Sequence, residues 1–353
     1  MNVLNNFYNN KKILITGHTG FKGLWLTTIL SIFGAKIIGL SLNDKNKKNF
    51  YKCINTKSLI KSYWGNINNF LFLKKIINKN KPQIIFHLAA QSLVMDGYKK
   101  PLKTFQTNVL GTLNVLEIAM RTPTVKSVII VTSDKCYQNF STSKSYKETD
   151  PLGGIDPYSS SKAAAEIISQ SYLKSFYLKS KIGLATVRAG NVMGGGDWSK
   201  NRIVPDCIKS IFKNSKLILR NPNYIRPWQH VLDPLNGYLL LGMKIFFNPK
   251  KFSGPWNFGP SYKQVKSVRA VVNLIFKKSK KKIKFSILEK KIKKYESHSI
   301  KLNSSKSKKK LGWKPKYNFE DSVNLTYDWY NQYFKNKKLI FFQQIKNFYK
   351  INN

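Results

Sequence analysis

The chain has 353 residues, 42% of them hydrophobic, and a formal net charge of +46. That length and composition allow a large buried core in one domain or two lobes and exclude a disordered or fibrous chain. No apolar run is long enough to cross a bilayer, and the Asn-rich start lacks the pattern of a signal peptide.

The charge invites a nucleic-acid reading. Against it, only six of the 62 basic residues are arginine, and the lysines are strewn through the chain without a stripe. The chain is also crowded with Asn, Ile, Tyr and Phe, so the lysine content fits AT-rich codon usage, and no specific nucleic-acid partner is expected. Cys53, Cys136 and Cys207 are far apart and show no metal-ligand spacing, so no metal and a reducing cytoplasm are expected. Cys136 reads as a packing residue.

Residues 1–10 read as a flexible tail. Ile13–Ile15 form a short apolar strand, followed by Gly17, Gly20 and Gly23 at three-residue spacing and then a helical apolar pattern. Glycines there allow a tight turn and close backbone approach to a pyrophosphate, which the free N–H groups of the helix start also attract. Further strand-like runs fall at Lys36–Leu40, Gln83–His87, Ser127–Val131 and Gly183–Val187, with helical stretches between. This alternation predicts an α/β fold with a doubly wound parallel sheet. After Gly190 the chain is Pro- and Gly-rich, with Trp198, Trp228 and Trp256, and reads as a smaller lobe. The lysine-rich stretch from Lys277 to Lys294 reads as a solvated edge. The last residues combine aromatics with lysine and read as a packed helix and a frayed tail.

Two segments carry the chemistry. SVIIVTSDKCY (Ser127–Tyr137) is a β-branched run ending in Thr132, Ser133, Asp134 and Lys135, where ligands sit in open α/β sheets. DPYSSSKAAAE (Asp156–Glu166) starts a helix with Tyr158 and Lys162 one turn apart on one face. The Tyr-x-x-x-Lys spacing begins at Tyr8, Tyr158, Tyr177, Tyr262 and Tyr333, and only Tyr158 has the strand-then-helix context. A phenol is a poor base at neutral pH, and a cation held beside it favours the phenolate. Together the segments supply a base, an acid and a hydroxyl for redox chemistry at a sugar alcohol.

With HLAAQS (His87–Ser92), these elements resemble the extended short-chain dehydrogenase/reductase family. RAGNVMGGGDW (Arg188–Trp198), NRIVPD (Asn201–Asp206), RNPNYIRPWQHVLDPLNGYLLL (Arg220–Leu241), GPWNFGP (Gly254–Pro260) and SSKSKKKLGWKPKYNFEDSVNLTYDWY (Ser304–Tyr330) resemble its sugar-nucleotide dehydratases. Related dehydratases carry Asp-Glu where this chain has Asp134 and Lys135, and epimerases carry neither. The resemblance covers nearly the whole chain, from about Lys11 to about Tyr330.

The resemblance implies a Rossmann domain binding NAD over residues 11–190, an interleaved smaller C-terminal substrate-binding lobe over 191–335 and a C-terminal helix or tail over 336–353. It implies CDP-glucose as substrate, a 4-keto-6-deoxy product for deoxysugar and lipopolysaccharide synthesis, and a homodimer formed through helices. Thr132, Asp134, Lys135, Tyr158 and Lys162 are then catalytic. Tyr158 takes the proton of the 4-hydroxyl, Lys162 holds the phenolate, and Thr132 hydrogen-bonds the same oxygen. Lys135, in its neutral form, removes the C5 proton, and Asp134 protonates the leaving 6-hydroxyl. The cofactor is expected on Gly17, Thr19, Gly20, Phe21, Lys22, Gly23, Asn66, Ile67, Leu88, Ala89 and Ala90, with Tyr158 and Lys162. The substrate is expected on Gln91, Asn191, Arg202, Arg226 and His230. Four arginines, Arg188, Arg202, Arg220 and Arg226, fall in the substrate-site segment, and arginine suits bidentate phosphate contact. GNINN (Gly65–Asn69) departs from the family pattern, since Asn66 replaces an adenine-contacting aspartate. Asp44, with Lys45 behind it, stands near the ribose position; a reaction that returns its own hydride needs no NADPH pool, which favours NAD.

Overall fold

The computed structural model describes residues 3–44, 60–138, 145–199, 201–261, 265–281, 285–287, 300–336 and 339–351. The readings for Lys45, Cys53, Tyr262 and much of the lysine-rich stretch lie outside the described residues. Seven strands make one sheet: β1 (Lys12–Thr16), β2 (Lys36–Ser41), β3 (Ile60–Trp64), β4 (Ile84–His87), β5 (Ser127–Val131), β6 (Gly183–Ala189) and β7 (Gly254–Phe258). Their order is β7-β6-β5-β4-β1-β2-β3, and every pairing is parallel. The order reverses between β1 and β4, which is where such sheets open a ligand crevice beyond their carboxyl ends.

Near-continuous apolar strands are what a sheet covered on both faces requires. Side chains alternate between the faces. Ile13 and Ile15, Phe86, Ile129 and Val187 join one core, while Leu14, Ile85, Val128 and Ile130 join the other. The doubly wound sheet is therefore present as expected.

Among the helices, α1 (Val3–Tyr8) replaces the expected flexible tail. Leu4 and Tyr8 are buried, and the Tyr8 hydroxyl donates to the Leu239 carbonyl at 2.8 Å. Apolar contact and that hydrogen bond outweigh the entropy of a short free end. The first crossover is α2 (Phe21–Ile32), followed by α3 (Phe70–Asn80) and α4 (Gly111–Met120). The helix of the second chemical segment is α5 (Pro157–Ser175). Asp156 caps it, accepting from the Tyr158 and Ser159 N–H groups at 3.0 and 3.1 Å, with Pro157 in its first turn. That cap fixes where the helix starts, and so the height of Tyr158 above the sheet.

After Gly190 the chain builds α6 (Ile203–Lys213) and α7 (Leu232–Phe247) with short strand pairs, then returns to the sheet as β7. α8 (Phe319–Asn336) and α9 (Phe341–Tyr349) close the chain. Phe341 stacks edge-on against Trp25 of α2 at 4.6 Å, and Tyr349 against Phe33 at 5.0 Å. Among the described residues no helix is long and apolar enough to cross a membrane, and no cluster of ligating side chains is placed to hold a metal.

Candidate active site

The strand β1 ends at Thr16, and Gly17 turns the chain with φ +77°. A Cβ on Gly17 would stand 2.8 Å from the Ala89 nitrogen, and one on Gly23 would stand 2.1 Å from the Gly17 carbonyl oxygen. Gly20 caps α2 without a side-chain partner for the helix N–H groups. The loop is thus a backbone cradle that side chains would fill, at the positive end of a helix, and its residues fit a dinucleotide pyrophosphate. His18, which the sequence reading passed over, pins this loop: its ring nitrogens meet Ser41 Oγ at 2.8 Å and Ser62 Oγ at 3.1 Å. Thr19 donates its N–H to Ser41 Oγ at 3.2 Å. Lys22 points inward, with Nζ 3.5 Å from the Tyr238 hydroxyl, and burial pushes its pKa down to about 8. Leu88 and Ala89 lie against Gly17, tied to Thr16 by hydrogen bonds of 3.0 and 3.3 Å. Asn66 is exposed, and its side-chain oxygen accepts from the Asn68 N–H at 3.0 Å, a turn contact.

At the end of β5, Ser133 caps a short 3₁₀ turn, Asp134–Cys136. Its hydroxyl donates to Asp134 Oδ1 at 2.9 Å, and Ser133 also acts on the Tyr158 phenol, lowering its pKa. Asp134 is buried; burial raises its pKa, opposed by Lys135, Ser133, Arg226 and Lys22. A raised carboxyl suits a proton donor. The absence of a side chain at Gly190 gives Asp134 room, since a Cβ there would stand 3.1 Å from Oδ2.

Tyr158 and Lys162 lie buried on one face of α5. Burial pushes the phenol up to about 12, opposed by Ser133 and Arg202. Lys162 donates to the Val131 carbonyl at 3.1 Å, and burial lowers its pKa to about 8. Burial dominates at Tyr158; Ser133 and Arg202 lower the phenol's pKa, and Asp134 and Asp156 raise it.

Three further expectations change. Thr132 does not point at the phenol: its N–H continues the sheet ladder to the Val187 carbonyl at 3.0 Å, and its hydroxyl donates to Glu166. The hydroxyl beside Tyr158 is that of Ser133. Arg188 is fully buried and paired with Glu166 at 2.7 Å, away from the surface a phosphate would approach. His230 is buried between Trp25 and Tyr317, with ring centroids 5.6 and 5.4 Å away, and burial lowers its pKa to about 3. It is a core residue.

Two of the expected substrate residues, Arg202 and Arg226, act on Tyr158 and Asp134 respectively. Arg202 pairs with Asp197 at 3.0 Å and reaches the Ser92 carbonyl at 3.4 Å. Half-buried Asn191 follows Gly190, and its carbonyl accepts from the Gln229 N–H at 3.1 Å. Gln91 is held by Thr104 at 2.9 Å and by Asn108, a residue that sequence reasoning missed. Asn108 lies in a π-helical turn, Gln106–Leu110, and also donates to Ser161 at 2.8 Å.

A parallel sheet with a glycine cradle at its switch point and a Ser–Tyr–Lys constellation beside it defines a nucleotide-dependent α/β enzyme of the short-chain reductase kind. The chain belongs to the GDP-mannose 4,6 dehydratase family, whose sequence profile matches residues 14–326. It is 38% identical over 340 residues to the CDP-glucose 4,6-dehydratase of Salmonella typhimurium, covering 95% of this chain and 94% of that protein. It is 26% identical over 336 residues to the human dTDP-D-glucose 4,6-dehydratase, covering 93% and 92%. Among solved structures, the dTDP-glucose 4,6-dehydratase of Bacillus anthracis in complex with NAD superposes with a TM-score of 0.78 at 24% identity, covering 95% of this chain and all of that one. An epimerase of Methanothermobacter thermautotrophicus gives 0.81 at 20% identity, covering 98% and 96%. At those identities the superpositions establish the fold.

Proposed function

We propose that this protein is a nucleoside-diphosphohexose 4,6-dehydratase that uses NAD and acts on CDP-glucose, releasing water and CDP-4-keto-6-deoxyglucose. The observation that carries this reading is the Asp134–Lys135 turn beside Tyr158: an acid and an amine adjoin the alcohol-oxidising pair, which dehydration needs and epimerisation does not. NAD would supply the hydride acceptor for C4 and the hydride donor for C6; Gly17–Gly23 would hold its pyrophosphate, and Lys162 would hold its ribose.

Tyr158 takes the proton of the 4-hydroxyl while Ser133 hydrogen-bonds the same oxygen. The 4-ketone acidifies C5. Lys135 removes the C5 proton, and Asp134 gives its proton to the departing 6-hydroxyl. Lys135 then returns a proton to C5 as the hydride reaches C6, and the proton lost from the 4-hydroxyl balances the one that leaves in water; because the hydride taken from C4 ends on C6, no reductant is consumed. Arg202 and Arg226 meet the diphosphate, and Gln91 and Asn191 meet the sugar.

The active form is a homodimer joined through α5 and the helical run Pro101–Met120. Leu102 and Leu110 on that run and Ile167 on α5 are exposed, and Tyr172 joins the two helices through Glu117 at 3.0 Å. Burying such side chains against a second copy is favourable by roughly 1.5–3 kcal/mol each. The test is incubation with NAD and CDP-, dTDP-, GDP- or UDP-hexoses, following 4-keto product. CDP-glucose should turn over fastest, and a faster rate with another nucleotide overturns the CDP assignment.

A further inference from the structure

Glu166 and Arg188 are both fully buried, one turn beyond Lys162 on α5 and near the end of β6. Arg188 Nη2 and Nε meet the two Glu166 oxygens at 2.7 and 2.9 Å, a bidentate pair. The carboxylate accepts two further hydrogen bonds, from the hydroxyls of Thr132 and Thr186. The guanidinium donates to the Tyr137 hydroxyl at 2.7 Å and lies 4.8 Å over the same ring. Tyr137 in turn donates to Asn257 Oδ1 at 2.8 Å on β7. Burial pushes the Glu166 carboxyl up, but Arg188 and the two threonines outweigh it, so the pair stays ionised.

Thr132 immediately precedes Ser133–Asp134–Lys135, and Tyr137 immediately follows the 3₁₀ turn. The turn is therefore held at both ends by one ion pair, and that pair rides on the helix that carries Tyr158 and Lys162. A buried ion pair contributes little net stability, so its retention asks for another reason. We propose that Glu166 and Arg188 are positioning residues for the elimination step: they fix the Asp134–Lys135 turn against α5, so that acid and base meet C6 and C5 after Tyr158 has acted at C4. The proposal rests on the dehydratase reading for its kinetic consequence and on geometry alone for its structural one.

Cys136 gives the structural readout. It lies within the bracketed turn, is a free thiol and is fully buried, as is Cys207 on α6. Thr132→Val and Tyr137→Phe each cut one tether while leaving the ion pair, and Glu166→Gln weakens the centre. In the full-length protein, alkylation resolved by mass spectrometry should speed up at Cys136 by about tenfold in Thr132→Val and Tyr137→Phe, with Cys207 unchanged. With CDP-glucose, the same variants should oxidise C4 within about threefold of the parent and eliminate water roughly 10–100-fold more slowly. Thr132→Ser, which restores the hydroxyl, should recover both. Equal acceleration at both cysteines, or equal slowing of both chemical steps, overturns the proposal and leaves the network as packing. If the parent protein fails to dehydrate CDP-glucose, the functional reading falls, and the Cys136-to-Cys207 ratio alone decides the positioning claim.

Discussion

Ser133 stands between Asp134 and Tyr158: its hydroxyl donates to the Asp134 carboxylate at 2.9 Å, and it lowers the pKa of the buried Tyr158 phenol. The two residues proposed to take a proton at C4 and to give one at C6 thus share a neighbour.

Loss of Tyr158 should stop the chemistry at its first step. Tyr158→Phe keeps the ring and removes the proton acceptor. Turnover should fall on the order of 10²–10⁴-fold, with unchanged thermal unfolding and NAD binding. Retention of more than a tenth or so of the parent rate would show that another group takes the proton.

The glycine cradle should be intolerant of a single methyl. A Cβ on Gly23 would stand 2.1 Å from the Gly17 carbonyl oxygen, so Gly23→Ala must push the loop aside. A strain of about 1–3 kcal/mol translates to roughly 5–150-fold weaker NAD binding, measured by calorimetry. Unaltered affinity would remove this loop from the cofactor site.

Buried histidines set the acid side of the stability profile. Burial holds His18 at about 4 and His87 and His230 at about 3, below the unfolded value near 6.5. The unfolded chain therefore binds more protons below that value, and stability falls as pH drops from about 6.5 toward 4. Asp233 has the opposite sign: burial raises it to about 7, so it favours the folded state at low pH and loses that contribution as pH rises toward 7. Removing one histidine should flatten the acid slope. Urea midpoints of His230→Leu and the parent at pH 5 and 7 check this; an unchanged difference contradicts the assignment.

The reaction itself separates dehydratase from epimerase. In deuterated water the product should carry solvent deuterium at C5, with hydride moved from C4 to C6 of the same molecule. A product that keeps its 6-hydroxyl and is inverted at C4 contradicts dehydration.

The sheet was legible because its strands are uninterrupted apolar runs such as Ser127–Val131, and a strand buried on both faces needs little else. Tyr158 stood out because it follows a strand ending in polar residues and opens an alanine-rich helix. What escaped depends on pairings between distant positions. Thr132 and Ser133 are adjacent hydroxyls at a strand end, where neighbours face opposite ways, and only Glu166 reveals which faces inward. Arg188 reads as a phosphate ligand until its buried carboxylate partner is seen. His230 stands in a polar motif yet packs between two aromatic rings. Asn108 owes its place to a π-helical turn that leaves no periodic trace. Glu148, which accepts from the Asn257 N–H at 2.9 Å, and Tyr137, which lies between Arg188 and Asn257, likewise owe their places to distant partners.

The central claim is that Asp134 and Lys135 act after the ketone forms. Asp134→Asn keeps shape and removes the acid; Lys135→Met keeps length and removes the base. The deciding measurement is a single turnover of each variant with stoichiometric CDP-glucose, following near-ultraviolet absorbance of the reduced nicotinamide and the 6-deoxy product together. Absorbance should rise and persist while product formation slows on the order of 10²–10⁴-fold. Elimination of water at the parent rate by Lys135→Met would contradict it, leaving the lysine a structural partner of Asp134.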